Sequence, residues 1–193
     1  MKKTGKNNLI IIAGGGTGGH LFPSLAIGKS LKKKGFKVFY IGSMNRIDQK
    51  IFENNKVKYL LLDIVGFQRK VTIPDLINNI TIPYKIFKAY LKSLILIRKM
   101  NPKIIIGTGG YSSLVPLLVA KTLKIPTLIQ EQNIIPGLVT RIFAKYVDCL
   151  CLAFEPALKH IKTKKYIISG NPIREEIKFL DRDQSIKTLK LDI

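Results

Sequence analysis

The stretch LIIIAGGGTGGH, from Leu9 to His20, decides the fold. Its apolar residues, Leu9–Ala13, predict a strand that is covered on both faces, as in a parallel sheet. Five of the six positions from Gly14 to Gly19 are glycine, and a helix is predicted over about Pro23–Lys34, with Pro23 in its first turn. A glycine loop between a strand and a helix lets a ligand approach the backbone, and the helix N-terminus favours an anion.

Apolar runs and helix-like segments alternate along the rest of the chain. We expect strands at Val38–Ile41, Tyr59–Leu62, Ile104–Ile106, Thr127–Ile129, Cys149–Ala153 and Tyr166–Ile168. We expect helices at about Ile47–Asn54, Pro83–Met100, Ser113–Leu123, Gly137–Lys145 and Glu155–Ile161. This alternation predicts an α/β fold built on a doubly wound parallel sheet.

Two regions depart from this alternation. Residues 66–79 contain Gly, Pro and charged residues without a clear period, so we expect a mobile loop and a short helix there. The tail from Gly170 predicts a helical piece followed by the first residues of a new strand, KTLKLDI.

The composition limits the size and the class of the protein. The chain has 193 residues, with 33 Lys and Arg against 12 Asp and Glu, so its formal net charge is +21. At about 100–200 residues per domain, this length holds one domain, or one domain and a fragment of a second. A hydrophobic content of 46% excludes a disordered chain. The charge predicts an anionic partner: nucleic acid, an anionic membrane surface or a phosphorylated substrate.

The cysteines and histidines do not predict a metal site. Cys149 and Cys151 are two residues apart on a predicted strand, so they point to the same face and would bridge poorly. His20 and His160 are the only histidines. The chain therefore reads as a reduced, cytosolic protein without structural zinc. No run of about 18 apolar residues is present, so we expect no membrane-spanning helix.

The first glycine loop contains G-x-G-x-x-G as Gly14, Gly16 and Gly19. A dinucleotide site also needs an acidic residue at the end of the second strand, where the chain has Gly42-Ser43-Met44. A Walker loop needs Lys and Ser or Thr after its last glycine, where His20 and Leu21 stand. The motif therefore predicts a general anion site and disfavours an NAD-dependent oxidoreductase.

Two further loops follow predicted strands. GTGGYSS, Gly107 to Ser113, leads into a helix with Ser112 or Ser113 as its N-cap, and EQNIIPG, Glu131 to Gly137, precedes another. In a parallel sheet, the loops that follow the strands share the edge where ligands bind. Three helix N-termini that converge there suit a diphosphate. His20 at the mouth of the first loop is the first candidate for a catalytic base, and Glu131 on an exposed third loop is the second.

The predicted helix Pro83–Met100 has two apolar stripes separated by lysines. One stripe comprises Ile80, Tyr84, Phe87, Leu91 and Leu94, and the other comprises Ile82, Ile86, Ala89, Tyr90, Ser93 and Ile97. Lys85, Lys88, Lys92 and Lys99 lie beside the first stripe. A soluble surface helix needs only one apolar stripe. The presence of an additional stripe edged with lysines predicts docking on an anionic bilayer, or else packing of the helix between two core elements. No nucleic-acid recognition motif is apparent.

Four motifs occur in one order and at suitable spacing: GGGTGGH, NPKIIIGTGGYSS, IPTLIQEQNIIPG and GNPIR. Together they resemble the MurG family of N-acetylglucosaminyltransferases, in glycosyltransferase family 28, over about residues 9–178. The resemblance implies a GT-B enzyme with two Rossmann-like domains. It implies transfer of N-acetylglucosamine from UDP-N-acetylglucosamine to undecaprenyl-diphosphate-linked muramoyl-pentapeptide at the cytoplasmic face of the cell membrane. Residues 1–169 would form the acceptor-binding domain, and residues 170–193 a linker and the start of a donor-binding domain.

The resemblance also implies roles for individual residues. Donor contacts fall on Thr17, Gly18, Gly19, Asn133 and Arg174. The acceptor diphosphate falls on Gly15, Gly16, Thr108, Gly109, Gly110 and Tyr111. The membrane patch falls on Ile80, Tyr84 and Phe87, with Lys85, Lys88 and Lys92 beside it.

The sequence departs from the family pattern in two ways. Gln130 stands where the family's HEQN motif has histidine, and the family's second domain is absent. We therefore expect little transfer by this chain alone, and a non-catalytic membrane-surface module that holds a polyprenyl diphosphate remains the alternative. The three loops contain no D-x-D cluster that would hold a metal against the diphosphate, and we expect no metal and no cofactor.

Overall fold

A seven-stranded parallel sheet organises the protein in the computed structural model. The structure describes residues 8–64, 66, 73–163, 165–174, 177 and 181–190, with the backbone only for 73–79. The strands are β1 (Leu9–Ala13), β2 (Lys37–Ser43), β3 (Tyr59–Leu62), β4 (Ile104–Gly107), β5 (Thr127–Glu131), β6 (Cys149–Leu152) and β7 (Tyr166–Ile168). Their spatial order is β3-β2-β1-β4-β5-β6-β7, which is the doubly wound arrangement that the sequence predicted.

Six α-helices connect or follow the strands in the described part of the chain. They are α1 (Gly18–Lys33), α2 (Arg46–Asn54), α3 (Ile73–Met100), α4 (Leu114–Thr122), α5 (Leu138–Phe143) and α6 (Arg182–Leu189). Two 3₁₀ helices, Tyr111–Ser113 and Glu155–His160, complete the elements.

Strand β1 is apolar throughout because helices cover both of its faces. Ile10 and Ile12 pack with α1 and α2, where Leu21 and Phe52 are buried. Ile11 and Ala13 point to the opposite face and belong to the core beneath α3 and α4. Successive side chains of a strand alternate between faces, so a continuous apolar run is the pattern of a central strand in this fold.

Two helices begin earlier than their prolines indicated. Helix α1 begins at Gly18, not Pro23, and α3 begins at Ile73, not Pro83. The mobile loop and short helix predicted over residues 66–79 are therefore helical from Ile73 on, as part of α3 and not as a separate short helix. Each proline removes one backbone N–H from the helix interior. In each case the carbonyl of the residue four positions before the proline loses its helical partner. For Pro23 this residue is Gly19, which is exposed to water, and the helix is also exposed at Pro83. Residues 67–72 of the predicted loop lie outside the described residues.

The tail also differs from the prediction. Residues 187–189 of KTLKLDI belong to helix α6, not to a strand, and residues 191–193 lie outside the described part. Asp181 caps this helix by accepting from the N–H groups of Asp183 and Gln184. None of the residues of this helix is buried, so its stabilisation comes from the hydrogen bonds that the Asp181 side chain accepts at its N-terminus.

Candidate functional site

The first two glycine loops pack directly against each other at the carboxyl ends of β1 and β4, which are neighbouring strands. Gly109 and Gly110 have φ values of +94° and +73°, a region that favours glycine. A Cβ on Gly110 would lie 2.5 Å from the Gly15 carbonyl oxygen, and one on Gly109 would lie 2.6 Å from Nδ1 of His20. Side chains at these positions would separate the loops, so glycine is required for their contact.

His20 is held by Thr108 through two hydrogen bonds. The Thr108 hydroxyl donates to the His20 carbonyl oxygen at 2.9 Å, and Nδ1 of His20 lies 2.9 Å from the Thr108 carbonyl oxygen. A carbonyl only accepts, so Nδ1 carries a proton, and in the neutral imidazole the lone pair is therefore on Nε2. His20 also lines a cavity of about 610 Å³ at this edge of the sheet. The structure therefore places the imidazole, the first candidate for a catalytic base, beside a space that could hold a ligand.

Gln132 joins the third loop to the other two, a role that was not predicted although the residue lies in the quoted EQNIIPG motif. Its Nε2 donates to the Thr108 carbonyl oxygen at 2.9 Å, and its Oε1 lies 3.3 Å from Nδ1 of His20. Only the folded chain places residue 132 beside residues 108 and 20. The three loops are thus one connected unit around the imidazole.

Glu131 is buried, which corrects the expectation that it lies on an exposed loop. Its Oε1 accepts from the backbone N–H and the Nδ2 of Asn133, at 3.0 and 2.9 Å, and its Oε2 accepts from the Gly137 N–H at 3.2 Å. These bonds hold the third loop closed. Both oxygens of the Glu131 carboxylate thus accept hydrogen bonds from donors of the same loop.

Asp48 lies beneath the first glycine loop and was missed in the sequence. It is fully buried, and its two carboxylate oxygens accept the Gly16 N–H, while Oδ2 also accepts the Ser43 N–H at 2.8 Å. The backbone N–H of Asp48 donates to the Asn45 side chain at the start of α2. The Asn45–Asp48 spacing matches that of a helix capping box, which is the signal that could have identified it. The Gly16 N–H is thus occupied and offers no free donor to a phosphate.

A cavity of about 610 Å³ opens between the three loops. Of the predicted site residues, it is lined by Gly15, Gly16, Thr17, His20, Gly110 and Tyr111. Its opposite wall is formed by residues 135–141, which include the start of α5. Thr108 and Gly109 are buried behind the loops and do not line it.

The predicted donor contacts do not all meet at this cavity. Gly18 opens α1, and Thr17 occupies its N-cap position without a side-chain cap. Asn133 is exposed on the third loop. Arg174 lies apart from the cavity: its guanidinium stacks 4.5 Å from the Phe22 ring centroid and lines a second cavity, of about 300 Å³, on the flank of α1. Of these residues, Thr17 lines the cavity, whereas Arg174 lines the second one.

Ser113 occupies the N-cap position of α4, but it makes no side-chain cap. Its hydroxyl donates instead to the Gly110 carbonyl oxygen at 2.8 Å. This bond stabilises the second glycine loop. Within the described residues, no group of three or more His, Cys, Asp or Glu side chains is arranged to hold a metal ion.

Helix α3 separates its two apolar stripes. The second stripe is buried in the core at Ala89, Ser93 and Ile97. Leu94 also packs against the core, although the sequence analysis grouped it with the stripe that begins at Ile80. The outer stripe is open: Ile80, Tyr84 and Phe87 are 75%, 67% and 60% exposed, and Leu91 and Ile95 extend it. Lys88 and Lys92 are exposed beside this stripe, whereas Lys85 is partly buried and pairs with Asp63 at 3.2 Å. In the described part of the chain, no helix is long and apolar enough to cross a membrane.

Comparison with known proteins agrees with this geometry. The glycosyltransferase family 28 N-terminal domain matches residues 10–152. The UDP-N-acetylglucosamine--N-acetylmuramyl-(pentapeptide) pyrophosphoryl-undecaprenol N-acetylglucosamine transferase of Bacillus pumilus is 35% identical over 185 residues, covering 95% of this chain and 50% of its own length. The enzyme of that name from Halothermothrix orenii is 36% identical over 185 residues, covering 94% and 49%. The chain thus spans about half the length of these curated relatives.

The crystal structure of MurG from Acinetobacter baumannii shares the fold, with a TM-score of 0.69 at 24% identity, over 86% of this chain and 46% of that one. The Anabaena protein Alr3699/HepE, solved with UDP and glucose, has a TM-score of 0.59 at 8% identity, over 94% of this chain and 50% of that one. The match over residues 10–152 covers most of the sequence, including the glycine loops and His20. The chain belongs to glycosyltransferase family 28, whose N-terminal domain it contains.

Proposed function

We propose that this chain is the acceptor-binding half of an N-acetylglucosaminyltransferase. The enzyme would transfer N-acetylglucosamine from UDP-N-acetylglucosamine to a muramoyl-pentapeptide carried on undecaprenyl diphosphate. The names of the relatives at 35% and 36% identity support this substrate pair. The half-length match supports a second, donor-binding domain that follows residues 170–193.

The orientation of His20 carries the proposal. The Thr108 carbonyl accepts the Nδ1 proton, so Nε2 is free to take the proton of an acceptor hydroxyl in the cavity. The hydroxyl oxygen then forms a bond to the anomeric carbon of N-acetylglucosamine as the bond to UDP breaks. The electron pair of that bond leaves with UDP.

The N-terminus of α1 supports a role for Thr17, Gly18 and Gly19 in binding the donor. No acidic residue lies in the first turn of this 16-residue helix. Its unpaired N–H groups and positive dipole would therefore stabilise the charge that develops on the departing UDP. Asn133 and Arg174 complete the proposed donor contacts. The exposed position of Arg174 is consistent with a contact made from outside the cavity.

The test measures transfer to a lipid-linked muramoyl-pentapeptide by this chain joined to the second half of the Bacillus pumilus relative. We expect His20→Gln to lower kcat by roughly 10²–10⁴-fold, as for a positioned base. His160→Gln is the matched control, because His160 ends an exposed 3₁₀ helix away from the cavity. A joined enzyme that forms no product contradicts the proposed function. A kcat that His20→Gln leaves unchanged contradicts the role of His20 as the base.

We also propose that the outer stripe of α3 docks on the anionic inner leaflet of the cell membrane, at its cytoplasmic face. The exposed apolar side chains provide insertion, and Lys88 and Lys92 provide attraction to anionic lipid. A cytosolic donor and a lipid-anchored acceptor meet at that surface. The alternative function, a non-catalytic holder of a polyprenyl diphosphate, predicts the same docking without transfer by the joined enzyme.

A further inference from the structure

Helix α5 contributes a cationic side chain to the cavity of about 610 Å³, and the glycine loops have none. Arg141 lies on α5 and lines the same cavity as Gly15, Gly110 and Tyr111. It is exposed, and it makes no ion pair and no side-chain hydrogen bond with any residue in the described ranges. Its guanidinium is therefore available to a ligand.

Thr140, the preceding residue, provides an independent sign of a ligand. It lines the same cavity and is 1% exposed, yet its Oγ1 has no hydrogen-bond partner among the described residues. Buried hydroxyl groups are normally paired, because leaving one unpaired costs the desolvation free energy of that group. A hydroxyl in this state, next to a free guanidinium, indicates an acceptor-rich ligand.

The charges around the cavity favour an anion. Apart from the imidazole of His20, Arg141 is the cationic side chain among the described lining residues, and no carboxylate is among them. The first glycine loop contributes less than its sequence indicates, because Asp48 occupies the N–H groups of Gly16 and Ser43. The positive charge for a diphosphate must therefore come from the opposite wall.

We infer that Thr140 and Arg141 bind the diphosphate of the acceptor against the glycine loops. This inference rests on the proposed function and deepens it, since it names the side chains that hold the anionic group. A planar guanidinium binds phosphate oxygens through two parallel hydrogen bonds. Arg141 would thereby hold the acceptor in the cavity that His20 also lines.

The test titrates inorganic pyrophosphate and farnesyl diphosphate into the 193-residue chain by calorimetry. We expect Arg141→Gln to raise Kd for both probes at least about tenfold, as for the loss of one charge-assisted hydrogen bond. The control, Arg98→Gln, removes the same charge from an exposed position at the end of α3, outside the cavity. We expect it to change Kd by less than about twofold, since charges on a surface are screened.

Thr140→Val separates binding from folding. The hydroxyl has no partner within the described protein, so its removal is expected to leave the thermal midpoint unchanged or higher while weakening binding of pyrophosphate. A merely structural hydroxyl would show the reverse pattern, a lower midpoint with unchanged Kd.

Three outcomes overturn the inference: no binding by the unmodified chain, equal Kd for Arg141→Gln and the unmodified chain, or an equal loss in Arg98→Gln. The transfer assay of the joined enzyme distinguishes this failure from failure of the proposed function. Transfer without Arg141-dependent binding refutes only the inference. Arg141-dependent binding without transfer refutes the enzyme and leaves the anion site in place.

Discussion

Asp48 accepts the backbone N–H of Gly16 with both carboxylate oxygens, each at 3.0 Å, and so ties the start of α2 to the first glycine loop. The carboxylate also excludes any side chain at Gly15, whose Cβ would lie 1.9 Å from Oδ2. The loop thus needs glycine at position 15 to make room for the Asp48 carboxylate, whether or not a ligand also binds there.

We expect Asp48→Ala to destabilise the chain by roughly 1–3 kcal/mol, because it leaves the buried Ser43 N–H and the part-buried Gly16 N–H without their acceptor. Chemical denaturation measures this loss. The control is Asp63→Ala, which breaks the exposed ion pair with Lys85 and should cost less than about 1 kcal/mol. Similar losses for both variants would show that the Asp48 bonds do not stabilise the loop.

Gly109→Ala should disturb the imidazole of His20 without unfolding the chain. The new Cβ would lie 2.6 Å from Nδ1, so the ring must move from the Thr108 carbonyl. Nitrogen-detected NMR of the ring reports this as loss of the tautomer with a proton on Nδ1. Gly35→Ala is matched in backbone strain, since Gly35 has φ +83°, but its Cβ meets nothing within 4 Å. An unchanged His20 spectrum in Gly109→Ala would contradict the described packing.

Gly28→Ala should destabilise the chain, although alanine normally favours a helix by about 1 kcal/mol. Gly28 lies on α1, and its Cβ would stand 1.9 Å from the hydroxyl of Tyr40, a fully buried side chain. We expect a net loss of about 1–3 kcal/mol from overpacking. Adding Tyr40→Phe should recover part of it, because the closest atom is removed.

Gly19→Ala, in the same helix, is the control for this pair. Its Cβ would meet only Thr17 Oγ1, at 3.8 Å. Thermal unfolding should therefore show stability equal to or above that of the unmodified chain. A Gly28→Ala variant as stable as Gly19→Ala would show that α1 and β2 can separate at no cost.

The α3 docking proposal predicts two separable effects on binding to vesicles. Lys88→Glu with Lys92→Glu should abolish the preference for anionic over neutral lipid, and salt should weaken that preference in the unmodified chain. Tyr84→Ser with Phe87→Ser should remove the binding that resists salt. Co-sedimentation with vesicles of phosphatidylglycerol or phosphatidylcholine measures both.

The matched charge control is Lys159→Glu with Lys162→Glu, two exposed lysines near the second 3₁₀ helix. This variant changes the net charge equally and should keep its preference for anionic lipid largely intact. Equal losses in the two lysine pairs would mean that the total charge, not α3, attracts the membrane.

Cys151 should react slowly with alkylating reagents. Burial raises the pKa of its thiol to about 11, so at pH 8 its thiolate is about 100-fold scarcer than in an ordinary cysteine. The rate with iodoacetamide, measured by mass spectrometry on Cys149→Ser, should rise as the pH approaches 11. A rate at pH 8 equal to that of glutathione would contradict the buried environment. Stability linked to this group is complete below about pH 9 and is lost as the pH rises toward 11.

Much of the fold followed from local sequence. The apolar run Leu9–Ala13 predicted a central strand with its bounds, and the strands at Tyr59–Leu62 and Tyr166–Ile168 were also placed correctly. The helix beginnings at Pro23 and Pro83 were wrong. A proline lowers the local preference for a helix, but packing of the surrounding residues on the sheet overrides a single missing hydrogen bond.

The site divides in the same way. By itself the sequence determined that three loops follow parallel strands, that His20 stands at the first, and that glycines admit a close approach of the backbone, because these properties depend on neighbouring residues. Only the tertiary structure decided which distant groups meet: Asp48 beneath Gly16, Gln132 beside His20, and Arg141 across the cavity from Gly110. Hydrogen bonds and charge pairs act over a few ångströms, and the order of strands in the sheet, not separation along the chain, determines which groups come that close.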